Sequence, residues 1–196
     1  PLLSDAGELI HVHERLIEIS KALGDHKRAL FYCGHLKKRL SGAALGGCYR
    51  RIGGILLAMG KYDLAERALA KALHAAGTNG DDLELLSVLS LTAEALYGRG
   101  EYDRCVEVCH KGLELAREAT QAQAPTQLGR RAVELRNTLG KVCLFKEDYE
   151  AAQQHFGANA VHAERHGWPD EHFRALFNLG TIAVTQRKFG EGEQIF

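Results

Sequence analysis

The chain has 196 residues, of which 45% are hydrophobic, 26% charged and 7% aromatic, the make-up of a folded globular protein and not of a disordered or fibrous one. Its 25 Lys and Arg balance 25 Asp and Glu, so no overall positive field exists to hold nucleic acid or an anionic membrane surface. Only 3 prolines interrupt a chain rich in Ala and Leu, which points to helix, because Pro breaks the backbone ladder and Ala and Leu lose little on entering it.

Five segments share one pattern, a turn followed by a helix. The first, ALGDHKRALFYCGHL from Ala22, turns at Gly24 and then places His26, Ala29 and Cys33. The second, AMGKYDLAERALAKAL from Ala58, turns at Gly60 and places Tyr62, Ala65 and Leu69. The third, YGRGEYDRCVEVCHKGL from Tyr97, has Gly100, Tyr102, Cys105 and Cys109 in those places. The fourth, FKEDYEAAQQHFGANAV from Phe145, has Glu147, Tyr149, Ala152 and Phe156, and the fifth, TQRKFGEGEQIF from Thr185, has Arg187, Phe189, Gly192 and Phe196. Each copy therefore runs turn residue, aromatic, small residue, larger apolar residue, with His26 as the one departure at the aromatic.

Upstream of each turn the apolar residues recur at helical spacing, as in Leu45, Tyr49, Ile52 and Leu56, or Leu176, Leu179 and Ala183. Seven residues before the turn stand Ile17, Gly53, Ala93, Gly140 and Gly180, where a small side chain lets two helices approach; Ile17 fits least well. The unit is a helix, a short turn and a second helix, and the turn positions are 36, 40, 47 and 40 residues apart by subtraction along the numbering. The longest gap contains Pro125, expected to break the chain between helices over residues 121–128. The expected organisation is one solenoid domain over residues 1–196, with repeats at about 5–41, 42–78, 82–121, 127–167 and 170–196, the last one truncated. A start at Pro1, a single methionine at Met59 and a stop inside the fifth copy read as a piece of a longer protein. The apolar end at Phe196 is then expected to fray or to self-associate.

These positions resemble the tetratricopeptide repeat (TPR), and the spacing near 40 is similar to its long-helix subclass, found in spindle-orientation adaptors, kinesin light chains, bacterial peptide-pheromone receptors and some transcription activators. The resemblance implies an all-α, right-handed superhelical solenoid of stacked antiparallel helix pairs with a concave groove that commonly holds a peptide. It further implies which first-helix positions face that groove: Arg50, Arg51 and Leu57 in the second copy; Ser90, Glu94 and Tyr97 in the third; Glu134, Asn137, Lys141 and Leu144 in the fourth; Arg174, Phe177, Asn178 and Thr181 in the fifth. The first copy differs in sign, with His11, Glu14 and Glu18. RALFNLG, from Arg174 to Gly180, is similar to the long-helix adaptors, where an Arg and an Asn grip a bound segment. Arg51 stands where the second copy would have that Asn, and Asn137 comes one position early in the fourth. Asn can donate to and accept from an extended backbone, and Arg can clamp a carboxylate with two parallel bonds.

Chemical signatures point away from catalysis. GGCYRRIGG, from Gly46 to Gly54, lacks phosphate-loop spacing and a preceding strand, and its glycines read instead as thinning a first helix. There is no Cys-x-x-Cys, His-Glu-x-x-His or Gly-x-Ser-x-Gly. Cys105 and Cys109, with His110 beside them, fall on core positions of the repeat and read as packing. His162 and His166, near His155 and His172, offer a zinc reading, set against a helix end near Gly167 that suits histidine by its dipole. His11 and His13 are two apart and point to different sides of a helix.

No run of about 18 apolar residues and no basic-then-apolar leader is present. Five scattered cysteines, Cys33, Cys48, Cys105, Cys109 and Cys143, read as reduced thiols, and the expected location is cytoplasmic. The expectation is a non-enzymatic protein-protein interaction module, an adaptor, scaffold or signalling sensor. It binds a peptide segment, acidic in part, through Arg50, Arg51, Glu94, Tyr97, Asn137, Lys141, Arg174, Phe177 and Asn178. No cofactor, metal, membrane or direct nucleic-acid contact is expected. The alternative is an intramolecular regulatory domain of a larger signalling or transcription-regulatory protein.

Overall fold

A computed structural model describes residues 6–77, 80–122 and 126–186. Among them lie nine helices: α1 Ala6–Ala22, α2 His26–Lys37, α3 Gly42–Ala58, α4 Tyr62–Gly77, α5 Asp82–Gly98, α6 Tyr102–Ala122, α7 Thr126–Phe145, α8 Tyr149–His166 and α9 Pro169–Thr185. The chain divides into two compact units, Pro1–Gly100 with α1 to α5 and Glu101–Phe196 with α6 to α9. The break anticipated over residues 121–128 falls between the end of α6 and the start of α7; Pro125 itself lies outside the described residues, as do Arg187, Phe189, Gly192 and Phe196 of the fifth second helix.

The turns follow from backbone sterics. Gly24, Gly60 and Gly100 adopt φ of 70°, 67° and 76°, left-handed values that glycine reaches without strain. Glu147 takes the same place in the fourth copy at φ 61°, so a residue with a Cβ occupies a conformation that disfavours one. The next helix starts at once: Asp25 and Asp148 accept the backbone N–H of Arg28 and Ala151 at 3.0 and 3.1 Å, capping α2 and α8. In the second and third copies the aromatic two residues past the turn packs on the end of the following first helix. A side chain at Gly98 would meet the Tyr62 ring, and Tyr102 lies on Phe145 with centroids 4.3 Å apart, Gly98 and Phe145 each standing two residues before a turn.

In unit 1, α1 packs on α2, α2 on α3, α3 on α4 and α4 on α5, and α3 also reaches α5. One cluster joins Ile17, Ala29, Cys33, Leu36, Cys48 and Ile55; a second joins Leu56, Leu57, Ala65, Leu69, Ala72 and Val88. In unit 2, α6 packs on α7, α7 on α8 and α8 on α9, around Ala152, Phe156 and Ile182, with a second cluster at Val133, Ala163 and Trp168.

The position seven before the turn works by exchange of bulk. A Cβ on Gly53 would lie 2.6 Å from Leu69, and one on Gly140 would lie 2.6 Å from the Phe156 ring, so each glycine is the slot for the large residue of the second helix. In the first copy the bulk is reversed: Ile17, fully buried, packs in one cluster with Cys33, the smaller residue at the large position. The poor fit in sequence is therefore compensated across the hairpin. Gly46 likewise brings α3 to α4, its hypothetical Cβ 2.6 Å from that of Ala75.

Candidate functional site

The face formed by first helices is best described within each unit. In unit 1, Arg50 and Arg51 lie on α3, and both are already paired. Arg50 Nε donates to the two carboxylate oxygens of Glu84 on α5 at 2.8 and 2.9 Å, and Arg51 Nη1 donates to Glu14 on α1 at 2.8 Å. The basic character that the second copy carries in sequence is thus neutralised within the unit. Glu94 is exposed on α5 and Tyr97 half-buried one turn later, whereas Leu57 and Ser90 are buried, Leu57 inside the core cluster.

In unit 2, Asn137 and Lys141 lie on α7, and Arg174, Phe177 and Asn178 lie on α9. Asn178 Nδ2 donates to Asn137 Oδ1 at 2.8 Å, which ties the two helices together. Asn137 is nearly buried by this contact, so Asn178 is the amide that remains half-open. Its carbonyl oxygen and second N–H stay available for an extended backbone. Arg174 is exposed and has no ion pair among the described residues, and Phe177, 53% exposed, stands beside Phe173 with ring centroids 6.4 Å apart. Leu144 belongs with the core around Phe156 and does not join this face.

The same offset occurs once in each unit. Arg51 and Asn178 stand nine residues before their turn positions, and their partners Glu14 and Asn137 stand ten before theirs. In the second and fifth copies the residue nine before the turn thus reaches back to the residue ten before the turn in the preceding first helix, whereas the third copy has Leu91 there. Asn137, one place early as a ladder asparagine, is in fact the acceptor for the next rung. Glu84 as the partner of Arg50 had no signal in the repeat, because it lies at a helix start that the pattern does not constrain.

The other chemical candidates resolve into packing. Cys105 and Cys109 are fully buried, and the Cys109 thiol is pushed up by its hydrogen bond with Cys105 and by burial. Cys48 Sγ donates to Cys33 O at 3.6 Å, and all five cysteines are free thiols. His162 and His166 stack with centroids 4.4 Å apart, both against Trp168, while the Arg130 guanidinium lies 5.1 Å from the centroid of the Trp168 ring. Stacked rings do not converge on a metal, His166 Nδ1 is engaged by His162 O at 2.9 Å, and His162 Nε2 is buried with no partner among the described residues. Burial first, then the neighbouring His166, Arg136 and Arg165, lowers the proton affinity of His162. Among the described residues no three His, Cys, Asp or Glu side chains are placed to share a metal ion, and no described helix is long and apolar enough to cross a membrane.

No family model matches this sequence, and no curated protein is similar to it. Solved structures do share its fold. A Rap protein complexed with competence and sporulation factor matches 95% of the chain at 12% identity with a TM-score of 0.82, the match spanning 52% of that protein. A signal transduction ATPase with numerous domains and a tetratricopeptide repeat sensor, from Pyrococcus horikoshii, matches 95% at 13% identity with a TM-score of 0.78, over 28% of that protein. A putative kinesin light chain with nearly identical TPR-like repeats, from Podospora anserina, matches 98% at 12% identity with a TM-score of 0.70, over 93% of that protein. The fold is the all-helical TPR-like repeat fold.

Proposed function

We propose that this chain is a non-catalytic interaction module that binds an extended segment of a partner protein across α7 and α9. The observation that carries this is the Asn137–Asn178 rung, with Arg174 and Phe177 exposed beside it. The half-open amide offers a donor and an acceptor to a peptide backbone, Arg174 a fork for a carboxylate, and Phe177 an apolar anchor. Lys141, one turn beyond Asn137, adds positive charge, which favours an acidic segment. The Rap structure complexed with competence and sporulation factor supports this mode of use for the fold. A segment lying on unit 1 would meet Glu94 and Tyr97 of α5, and Arg50 and Arg51 of α3 once they exchange Glu84 and Glu14.

A second reading, an internal regulatory domain of a larger signalling or transcription-regulatory protein, draws support from the tetratricopeptide sensor of the Pyrococcus ATPase, of which the matched part is 28%. One experiment tests the binding face for both. Peptides selected against the wild-type chain from a displayed random library are re-measured against Arg174→Ala with Asn178→Ala. Loss of two charge-assisted or amide contacts should weaken binding by about tenfold or more. Asn178→Ala also strips the buried Asn137 oxygen of its donor and should lower the melting temperature, so Arg174→Ala alone, at an exposed position, is the variant that should weaken binding with the melting temperature nearly unchanged. Equal affinity for both proteins would remove this face from the function.

A further inference from the structure

On unit 2, His155, Asn159 and His162 recur at helical spacing along the face of α8 that packs on α7, and Arg136 enters between them from α7. Arg136 Nη1 donates to Asn159 Oδ1 at 3.0 Å, and the buried Asn159 is in turn fixed by donating from Nδ2 to Val133 O at 2.9 Å. The guanidinium is therefore held in one place by a neutral amide. What it lacks is an acid: among the described residues its hydrogen-bond partner is that amide oxygen, and it forms no ion pair. Burial is the influence resolved on Arg136, and it works against the charge. His155 is pushed down by burial and then by Arg136 and by His110 of α6, so each of these two basic groups lies near its imidazole. Asp148, the acid that acts on His155 in the other direction, is already committed to capping the Ala151 N–H.

A half-buried cation without a carboxylate is costly, and four of its five N–H donors have no protein acceptor among the described residues. An anion with several acceptor oxygens would remove that cost. Arg136 also projects about 100° around the helix from Asn137, since successive residues are separated by that angle, so it lies off the α7–α9 face. We propose that Arg136, together with its neighbour His155 of α8 and with His110 of α6 near that imidazole, forms a binding site for a phosphate group. A dianion suits three basic groups better than a carboxylate, which the guanidinium fork alone would saturate.

The test is titration of the full chain with inorganic phosphate and, in parallel, with O-phosphoserine, following the His155 imidazole signals by NMR and the melting temperature. The expected result is a rise in the His155 proton affinity with phosphate, and a dissociation constant at least about tenfold weaker in Arg136→Gln. Tighter binding of O-phosphoserine would assign the group to a modified chain, and equal binding would assign it to the free ion. Phosphate binding unchanged in Arg136→Gln, or a His155 signal that does not move, would overturn the proposal. Should Arg136→Gln fail to fold, His155→Gln carries the same test, weaker binding supporting and unchanged binding refuting it.

Discussion

Replacing Gly140 by alanine should destabilise unit 2 by about 1–2 kcal/mol. The added Cβ would lie 2.6, 2.7 and 3.0 Å from three carbons of the Phe156 ring, closer than side chains approach, and Phe156 is fully buried, so the ring has nowhere to withdraw. Overpacking of this kind costs about 1–3 kcal/mol, from which about 0.5–1 kcal/mol is recovered because alanine is the better helix former. Urea unfolding followed by fluorescence of Trp168, the single and buried tryptophan, reads unit 2 directly, with circular dichroism for the whole chain. Trimming the ring in Gly140→Ala/Phe156→Leu should restore packing at the slot, giving a coupling energy of about 1 kcal/mol in the double-mutant cycle. A Gly140→Ala protein as stable as wild type, or a strictly additive cycle, would refute the exchange of bulk between the two positions.

Glu147→Gly should stabilise the chain by about 1 kcal/mol, because the left-handed φ of 61° strains any residue with a Cβ; a lower melting temperature in the variant would contradict this. Stability should also fall as pH drops from neutral towards 5. His155 and His162 both have folded proton affinities below the ordinary histidine value of about 6.5, chiefly through burial, so their contribution is whole above that value and is lost as pH falls through the folded ones. Melting temperatures measured across this range should show the slope, and His162→Gln should flatten it; an unchanged slope would place the acid sensitivity elsewhere.

The repeat was legible because each of its positions meets one physical demand. Glycine or its substitute marks a left-handed turn, the aromatic covers the next helix end, and small and large residues meet across a hairpin. These demands act over short separations, and Gly24, Gly60, Gly100 and Glu147 answer them in the same backbone conformation. Lateral partners between first helices were not legible. Arg50 finds Glu84 at a separation of 34 residues, Arg51 finds Glu14 at 37 and Asn178 finds Asn137 at 41, because loop and helix lengths vary from copy to copy. Helical period tells which face a side chain occupies, but whether a charge there is free depends on a residue one repeat away. Arg136 escaped for a related reason: in sequence it is one arginine among many, and only packing shows that no carboxylate accompanies it.

Chains built from similar repeats are prone to join the wrong neighbours while folding. The pairs Ile17 with Cys33, Gly53 with Leu69 and Gly140 with Phe156 oppose that error, since each first helix carries a notch or a knob cut to its own second helix. Ile17 set against Leu69 would clash, and Gly53 set against Cys33 would leave a hole. The hairpins thus have individual addresses written in side-chain volume, and a chimaera that shuffled their halves should fold less cooperatively than one that exchanged whole pairs.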